Sequence, residues 1–321
     1  MKPPYEITSK SLTLVSSISE KIGEVNASML VSSSPGLRKQ NQIRTIQSSL
    51  QIEGNTLTEQ QITAILENKR VIGPAKDIRE VQNAIRVYDS ISTYEFDSMQ
   101  SFLNAHATLM DGLMEKPGAF RKQGVGIMKG SSVDHLAPPA DRVPYLMKEL
   151  FDFLKKHEEI PLIKSCVFHY EMEFIHPFID GNGRMGRLWQ TVILMSKNAV
   201  FRYIPFETMI SQSQDEYYSV LSACDKAGKS TLFIEYMLAA IDEALTEVLA
   251  NSLAVNVSQE NRLRHFCSLN MTSFTRKDYM MVFKHLSSAS ASRDLKAGIE
   301  LGMFTKSGDK RLTIYDINKQ P

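Results

Sequence analysis

Twelve residues between two apolar segments, His176 to Arg187, combine a histidine, a carboxylate, a glycine-asparagine-glycine turn and two arginines. The segments on either side, about 161–175 and 182–196, carry apolar residues at helical spacing. The pattern therefore predicts a short loop, residues 176–181, held between two core-facing helices. The second helix would point its free N–H groups and the positive end of its dipole at this loop, which favours phosphate.

The glycines and arginines of this stretch suit an anion. Gly181 and Gly183 allow a positive φ or the close approach of a ligand to the backbone. Arg184 and Arg187 are three residues apart, so they share one helix face. Guanidinium groups bind phosphate oxygens in bidentate fashion. Taken alone, a Gly-Asn-Gly sequence usually forms a turn, and such an arginine pair usually lies on a solvent-exposed helix face.

The other two polar side chains suit a metal and a proton. Asp180 supplies the hard oxygen ligand that Mg²⁺ prefers. His176 can take a proton near neutral pH, although a lone histidine before a turn is more often structural. The joint occurrence of all these groups predicts a site for a nucleoside triphosphate and a hydroxyl nucleophile.

The stretch matches the Fic-family pattern His-x-Phe-x-Asp/Glu-Gly-Asn-Gly-Arg-x-x-Arg at every fixed position, and the resemblance extends over roughly residues 40–240. Fic proteins typically transfer AMP from ATP to a hydroxyl on a protein. The resemblance implies a mainly α fold, in which a Fic-type helical bundle with a small β-hairpin flap precedes a C-terminal winged helix-turn-helix domain. It also implies ATP as substrate, Mg²⁺ as cofactor and an unidentified protein, or the chain itself, as target.

The resemblance assigns roles to the motif residues. His176 would deprotonate the Ser, Thr or Tyr hydroxyl that attacks the α-phosphorus, and Asp180 would hold Mg²⁺. The glycine-rich turn, including the Asn182 side chain, would cradle the α-phosphate, and the arginines would hold the β- and γ-phosphates. Phe178 would pack into the core and fix the loop. The residues expected to bind the nucleotide are Gly181, Asn182, Gly183, Arg184 and Arg187.

A second motif lies far upstream, where Ser49 to Gly54 matches the family's inhibitory pattern Ser/Thr-x-x-x-Glu-Gly/Asn. Ser49 and Glu53 are four residues apart and share a helix face, and Gly54 suits the end of that helix. Without the first motif, Glu53 would be interpreted as an ordinary charge on a solvated helix end. With it, the resemblance implies that Glu53 pairs with Arg187 and denies it to the γ-phosphate, in an inhibitory helix at about residues 38–53.

Two further segments have weaker assignments. Residues 124–130 begin and end with glycine, and their side chains alternate in character with a period of two, as in a short hairpin. They resemble the flap with which the family docks an extended target segment. His135 is expected in the loop that follows, residues 135–139, with a structural or flap-supporting role and not a catalytic one. Tyr217 and Tyr218 lie on a predicted helix, where core packing and an adenine pocket remain equal alternatives. The docking residues would be Val125, Gly126, Ile127 and Met128.

The C-terminal segment has a different pattern. After a break near residues 254–258, two short helices are predicted around a turn at 287–290, followed by strands at 303–305 and 312–315. This order resembles a winged helix, which favours DNA binding but also serves in protein contacts and homodimers, so both partners stay open. The charged residues of the second helix and the wing are modestly basic in sum: Arg293, Asp294, Lys296, Glu300, Lys306, Lys310 and Arg311.

Composition narrows the partners and the compartment. A net charge of +1 gives no global attraction to nucleic acid or membrane. The N-terminus lacks the apolar core of a signal peptide, and no run of 18 apolar residues predicts a membrane span. Three scattered cysteines predict a reducing compartment, which we take as cytoplasmic. The expected organisation is an N-terminal helical region (1–110), a Fic core (111–253) and a winged-helix-like domain (258–321).

Three functions are compatible with these motifs. The leading hypothesis is a self-restrained protein adenylyltransferase. A nucleotide-sensing transcriptional regulator that acts through the winged helix is the second. The third is a deAMPylase, in which Glu53 would position a water for the removal of AMP from modified proteins.

Overall fold

The computed structural model describes residues 2–27, 35–129, 132–256, 259–267, 271–283, 286–308 and 313–318. Contacts divide the chain into two compact units, residues 1–246 and 247–321. The prediction of a mainly helical chain is confirmed. Within the described ranges, no helix has both the length and the apolar character needed to cross a membrane.

The first unit is built from helices joined by short connections. The helices predicted at about residues 38–53, 161–175 and 182–196 are present within a few residues. Residues 206–212 form a helix that the sequence does not predict, because seven residues are too few to show a helical period. Its described helices are α1 (Ser9–Ala27), α2 (Pro35–Ile52), α3 (Glu59–Leu66), α4 (Ala75–Asp89), α5 (Met99–Leu109), α6 (Val143–Lys156), α7 (Pro161–Ile175), α8 (Asn182–Met195), α9 (Phe206–Gln212), α10 (Gln214–Ala227) and α11 (Thr231–Asn256), the last of which continues into the second unit.

Local signals set several helix ends. Thr58 and Gln61 form a reciprocal capping box at the start of α3. Pro161 occupies the first turn of α7, where its missing N–H costs no hydrogen bond. The α7 helix ends at His176 and α8 begins after Gly181, so the predicted loop between two helices is also confirmed.

An aromatic cluster in the first unit anchors that loop. Phe102 of α5 contacts Phe151 of α6, Phe168 of α7 and Trp189 of α8, with ring centroids 5.1–6.0 Å apart. Phe178 of the loop stacks on Phe102 at 5.5 Å and is fully buried, as expected. Buried aromatic rings contribute strongly to core packing, so the loop is fixed from beneath.

The hairpin differs in detail from the prediction. Gly126 pairs with Leu136 and Ile127 with His135, so the prediction of a loop at His135 is wrong. Residues 124–130 contribute one strand, and its partner follows instead of lying within that range. The side chains of residues 126–136 lie outside the described part of the structure. The strands are β1 (Gly126–Lys129) and β2 (Ser132–Leu136).

The second unit combines short helices with a three-stranded antiparallel sheet, in which the strand at residues 314–317 pairs with those at residues 273–274 and 304–307. The predicted turn at residues 287–290 is wrong, because the Ser287 hydroxyl caps a helix by accepting the Ser290 N–H at 3.1 Å. Its elements are α12 (Gln259–Cys267) and β3 (Ser273–Phe274), which the sequence does not predict, then α13 (Arg276–Val282), α14 (Ser288–Glu300), β4 (Phe304–Ser307) and β5 (Ile314–Ile317).

Candidate active site

Two left-handed residues reverse the chain between α7 and α8. His176 has φ 50° and ψ 60°, and its N–H still donates to the Met172 carbonyl at 3.0 Å. Gly181 has φ 84° and precedes the first turn of α8. A Cβ at Gly181 would lie 2.7 Å from the Met110 sulfur, so this position requires glycine for both its conformation and its space.

Arg121 clamps the backbone on the histidine side of the loop. Its Nε donates to the His176 carbonyl at 2.7 Å, and its backbone N–H donates to the Pro177 carbonyl at 2.9 Å. Its guanidinium also reaches the carbonyls of Gln123 and Pro138. Arg121 is only 3% exposed. The side chain therefore ties the histidine to the segment that leads into β1.

His106 clamps the other end of the loop. Its Nδ1 accepts the Gly118 N–H at 2.8 Å, so Nε2 carries the ring proton and donates to the Asp180 carbonyl at 3.0 Å. The ring stacks on Phe178 with centroids 3.6 Å apart. Burial lowers the pKa of His106 to about 4, so the ring is neutral near pH 7. We assign it a positioning role.

The Asn182 side chain closes the loop on itself. Its Oδ1 accepts the Phe178 N–H at 2.9 Å, and its Nδ2 donates to the Phe178 carbonyl at 3.0 Å. The sequence interpretation placed this side chain against phosphate, but both of its polar atoms bond to the loop backbone. The contribution that Asn182 can make to an anion is instead its backbone N–H, at the start of α8.

Asp180 lies at the tip of the loop and is half exposed. Its Oδ1 accepts the Gly181 N–H at 2.6 Å and an Arg184 N–H at 2.9 Å. Within the described ranges, no group of three or more His, Cys, Asp or Glu side chains could hold a metal ion. A single accessible carboxylate does not form a closed cage, but it fits Mg²⁺, which binds through one or two carboxylates together with substrate phosphates.

Arg184 and Arg187, which the sequence groups together, have different partners. Arg184 is 4% exposed and bonds to Asp180 and, through Nη1 at 3.0 Å, to the buried Glu80 of α4. Its Nε is buried without a partner among the described residues. The guanidinium therefore faces carboxylates on two sides, which leaves little of it accessible to a phosphate.

Arg187 bonds to the end of α2. Its Nη2 donates to Glu53 Oε1 at 2.7 Å and to the Ser49 carbonyl at 2.9 Å, and its Nε donates to the Ser49 hydroxyl at 3.1 Å. Burial opposes its charge and is the largest single influence, but the Glu53 carboxylate together with Tyr217 and Glu173 keeps the pKa of Arg187 above its usual range. A Cβ at Gly183 would meet Glu53 Oε1, so the carboxylate lies directly over the glycine turn.

A cleft of about 210 Å³ opens beside this ion pair. Tyr218 is 39% exposed on its wall, whereas Tyr217 is 1% exposed and its hydroxyl donates to the buried His169 ring at 3.1 Å. Asp180 and Arg184 are not part of its lining. The residues that line the cleft are Glu53, Glu173, Phe174, His176, Gly183, Arg187, Tyr217, Tyr218, Leu221, Ser222 and Asp225.

The flap residues are described less completely. Val125 precedes β1, and Gly126, Ile127 and Met128 lie within it, so their backbone forms one strand of the hairpin. Their docking role stays a prediction. Sequence reasoning assigned no role to Arg121, His106 or Glu80, although Arg121 ends the segment 117–121, which resembles the family's approach to its flap. A Pro-Gly turn before Arg121 was the one available signal.

Comparison with known proteins identifies relatives. A family model described as Fic/DOC family matches residues 96–194. A Fic family protein of known crystal structure from Desulfovibrio desulfuricans G20 is 38% identical with a TM-score of 0.77, over 100% of this chain and 99% of that one. Protein adenylyltransferase fic-1 of Caenorhabditis elegans is 30% identical over 58% of this chain and 37% of its own. Protein adenylyltransferase Fic of Nematostella vectensis is 27% identical over 69% and 52%. The chain thus spans about half or less of these two curated relatives.

Proposed function

Because the chain belongs to the Fic family, we propose that it is a protein adenylyltransferase, which transfers AMP from ATP to a Ser, Thr or Tyr hydroxyl and which Glu53 restrains. One observation carries the proposal. His176, the glycine turn at Gly183 and the Arg187–Glu53 ion pair line the same cleft. A proton acceptor, an anion-binding helix start and a cationic clamp therefore face one space.

The proposed reaction transfers the AMP group of ATP to a hydroxyl of the target protein. His176 takes the proton of the target hydroxyl, whose oxygen bonds to the α-phosphorus of ATP while the bond from that phosphorus to the bridging oxygen breaks. Pyrophosphate leaves. Arg121 and His106 hold the loop so that His176 and Asp180 keep their places. A divalent cation held through Asp180 would neutralise charge on the phosphates.

Glu53 supplies the proposed restraint. It occupies the Nη2 group of Arg187 and covers Gly183, the position where phosphate oxygens would approach the start of α8. A γ-phosphate would have to displace this carboxylate or remain out of line. Both anions would compete for the Nη2 group that Glu53 occupies, and their mutual repulsion opposes simultaneous binding. The intact chain is therefore expected to have low basal activity.

The test uses ATP labelled at either the α- or the γ-phosphorus, with Mg²⁺ and the Glu53→Gly variant. AMP transfer predicts label on protein from α-labelled ATP only, whereas a kinase would transfer the γ-label. Glu53→Gly combined with His176→Ala is the matched control, which should abolish labelling. Mass spectrometry of treated lysate then identifies both the group transferred and the recipient. If α-labelled ATP labels neither the variant nor lysate proteins, the proposal fails.

The second unit supports a second candidate, a winged helix that binds duplex DNA. The specific observation is that Asp294 of α14 is 2% exposed and accepts two hydrogen bonds from Arg262, at 2.7 and 2.8 Å. The Asp294 carboxylate is therefore paired with Arg262 and does not offset the positive charges of Arg293 and Lys296, which are exposed on the same helix. Lys310 and Arg311 of the predicted wing lie outside the described residues.

Fluorescence anisotropy with labelled duplex DNA tests this candidate. Phosphate contacts make the logarithm of the binding constant fall steeply with the logarithm of salt concentration. Arg293→Ala with Lys296→Ala should reduce that slope by about two if both side chains contact phosphate. Glu300→Gln, a charge change on the same helix, is the control and should not weaken binding. An absence of binding at low salt would rule the candidate out.

A further inference from the structure

Glu80 is a buried carboxylate outside both sequence motifs, and both of its oxygens bond to residues beside the candidate site. It lies on α4 and is 4% exposed. Oε1 accepts from Arg184 Nη1 at 3.0 Å, and Oε2 accepts from Asn55 Nδ2 at 2.9 Å. Lys76 comes within 3.9 Å of Oε1 but is 70% exposed, so solvent screens it.

Arg184 links Glu80 to the loop tip. Its other donating nitrogen, Nη2, bonds to Asp180 Oδ1 at 2.9 Å. Glu80, Arg184 and Asp180 thus form a linear chain of carboxylate, guanidinium and carboxylate, of which only the last member is exposed to solvent. A planar guanidinium held at one edge presents its other edge in a fixed direction.

Charge balance gives Glu80 a second effect. Asp180 and Arg184 alone sum to zero charge, which offers little attraction to a divalent cation. With Glu80 the three groups carry one net negative charge, because its carboxylate offsets the guanidinium from behind. Buried ion pairs seldom add much stability over apolar residues of the same size, so stability alone does not account for Glu80.

We propose that Glu80 is a positioning residue for the divalent cation: it holds Arg184 and offsets its charge, so that Arg184 orients Asp180 as a metal ligand. The inference rests on the proposed function for the identity of the reaction, and it concerns this chain's own residues. Arg184 then serves the metal ligand, and Arg187 alone faces the cleft as the phosphate clamp. Partners behind a ligand typically change metal affinity by about 10- to 100-fold.

The experiment measures metal affinity separately from turnover. Mn²⁺ binding is followed by the electron paramagnetic resonance signal of free Mn²⁺, with ATP present and in the His176→Ala background, which should not turn over. Glu80→Gln should weaken Mn²⁺ binding by about 10-fold. In the Glu53→Gly background, the Mg²⁺ concentration for half-maximal AMP transfer should rise by a similar factor, and saturating Mg²⁺ should restore most of kcat.

A second buried glutamate provides the matched control. Glu207 is fully buried, and the effects of Tyr88 and Arg187 on its carboxylate are smaller than the effect of burial. Burial raises the pKa of Glu207 to about 8, so Glu207→Gln replaces one neutral group by another near pH 7 and should leave metal affinity unchanged. If Glu80→Gln cannot be purified, Asn55→Ala is the alternative. It removes one hydrogen bond to Glu80, keeps the charges of Glu80 and Arg184, and should also weaken Mn²⁺ binding.

The outcomes separate the two proposals. If Glu80→Gln and Asn55→Ala bind Mn²⁺ as the parent does, or if Glu207→Gln weakens binding as much as Glu80→Gln, the inference is overturned. A parent that binds no Mn²⁺ with ATP overturns it as well. A Glu53→Gly parent that binds Mn²⁺ and ATP but transfers no AMP contradicts the proposed function and leaves the metal measurement valid.

Discussion

Replacing Glu53 by glycine should convert a restrained site into an active one. In the structure the Glu53 carboxylate accepts a hydrogen bond from Arg187 Nη2 at 2.7 Å and lies directly over Gly183. The variant removes this carboxylate but leaves the Ser49 contacts to Arg187 in place, since they come from the preceding turn of α2. The guanidinium therefore keeps its position and gains one donor that faces the cleft.

The size of the effect follows from the ion pair. Arg187 is 1% exposed and the Glu53 side chain 24% exposed, so solvent screens the pair only in part. A hydrogen bond to a charged group contributes about 1.5–3 kcal/mol net in proteins. If Arg187 can serve a γ-phosphate only while this bond is open, about 0.6–7% of the molecules are competent at any time. Opening the site permanently should then raise the rate of AMP transfer by about 10- to 150-fold.

The assay is the initial rate of transfer from ATP labelled at the α-phosphorus, at saturating Mg²⁺. Glu53→Gln keeps the length of the side chain and removes its charge, so it should give an intermediate rate. Glu53→Ala separates the loss of the carboxylate from the added backbone freedom of glycine. Rates for all three variants within about twofold of the wild type, in an assay where His176→Ala lowers the signal, would refute the interpretation of Glu53 as a brake.

Three further changes have defined outcomes. Gly181→Ala should lower the melting temperature, because an L residue at φ 84° is strained by about 1–3 kcal/mol and its Cβ would meet the Met110 sulfur. Burial raises the folded-state pKa of Glu207 to about 8, so the free energy of unfolding of the wild type falls as the pH rises from about 4.5 to about 8. Relative to the wild type, Glu207→Gln should therefore gain about 2–4 kcal/mol in the free energy of unfolding between pH 5 and pH 8. Denaturant unfolding at both pH values measures this difference, and parallel pH profiles for the two proteins would contradict it. Asp294→Ala should remove the two hydrogen bonds that Asp294 accepts from the partly buried Arg262 and destabilise the second unit by about 1.5–3 kcal/mol, seen as faster hydrogen exchange in residues 259–300, without a loss of AMP transfer.

Local chemistry explains which parts of the fold could be predicted. The loop between α7 and α8 follows from helical periodicity on both sides and from glycine at the position that needs a positive φ. The capping box of α3 follows from two residues at fixed spacing. By contrast, α9 has seven residues, which is less than two full helical turns and shows no period. Its position depends on packing against α2, which no local pattern reports.

The supports of the site were not predictable in the same way. Arg121 and His106 bond to carbonyls 55 and 74 residues further along the chain. Because every residue has a backbone carbonyl, a hydrogen bond to one does not require a particular amino acid at the accepting position. Such a contact cannot be recognised from the sequence. For Asn182, the residue type was consistent with phosphate binding, but a side chain with one acceptor and one donating group equally suits the reciprocal bonds to Phe178.

The two arginines of the motif show why a shared helix face does not define a shared role. Arg184 meets Glu80, which is 4% exposed, while Arg187 meets Glu53, which is on the wall of the cleft. A nucleotide can compete only for the second pair, because the first is sealed within the helices. Asn55, one residue after Gly54, is held by Leu57 N–H, the Asp77 carbonyl and Glu80. The chain on that side of Gly54 is therefore fixed, and we expect release of Arg187 to require only that the Glu53 side chain turns away, without displacement of the whole of α2.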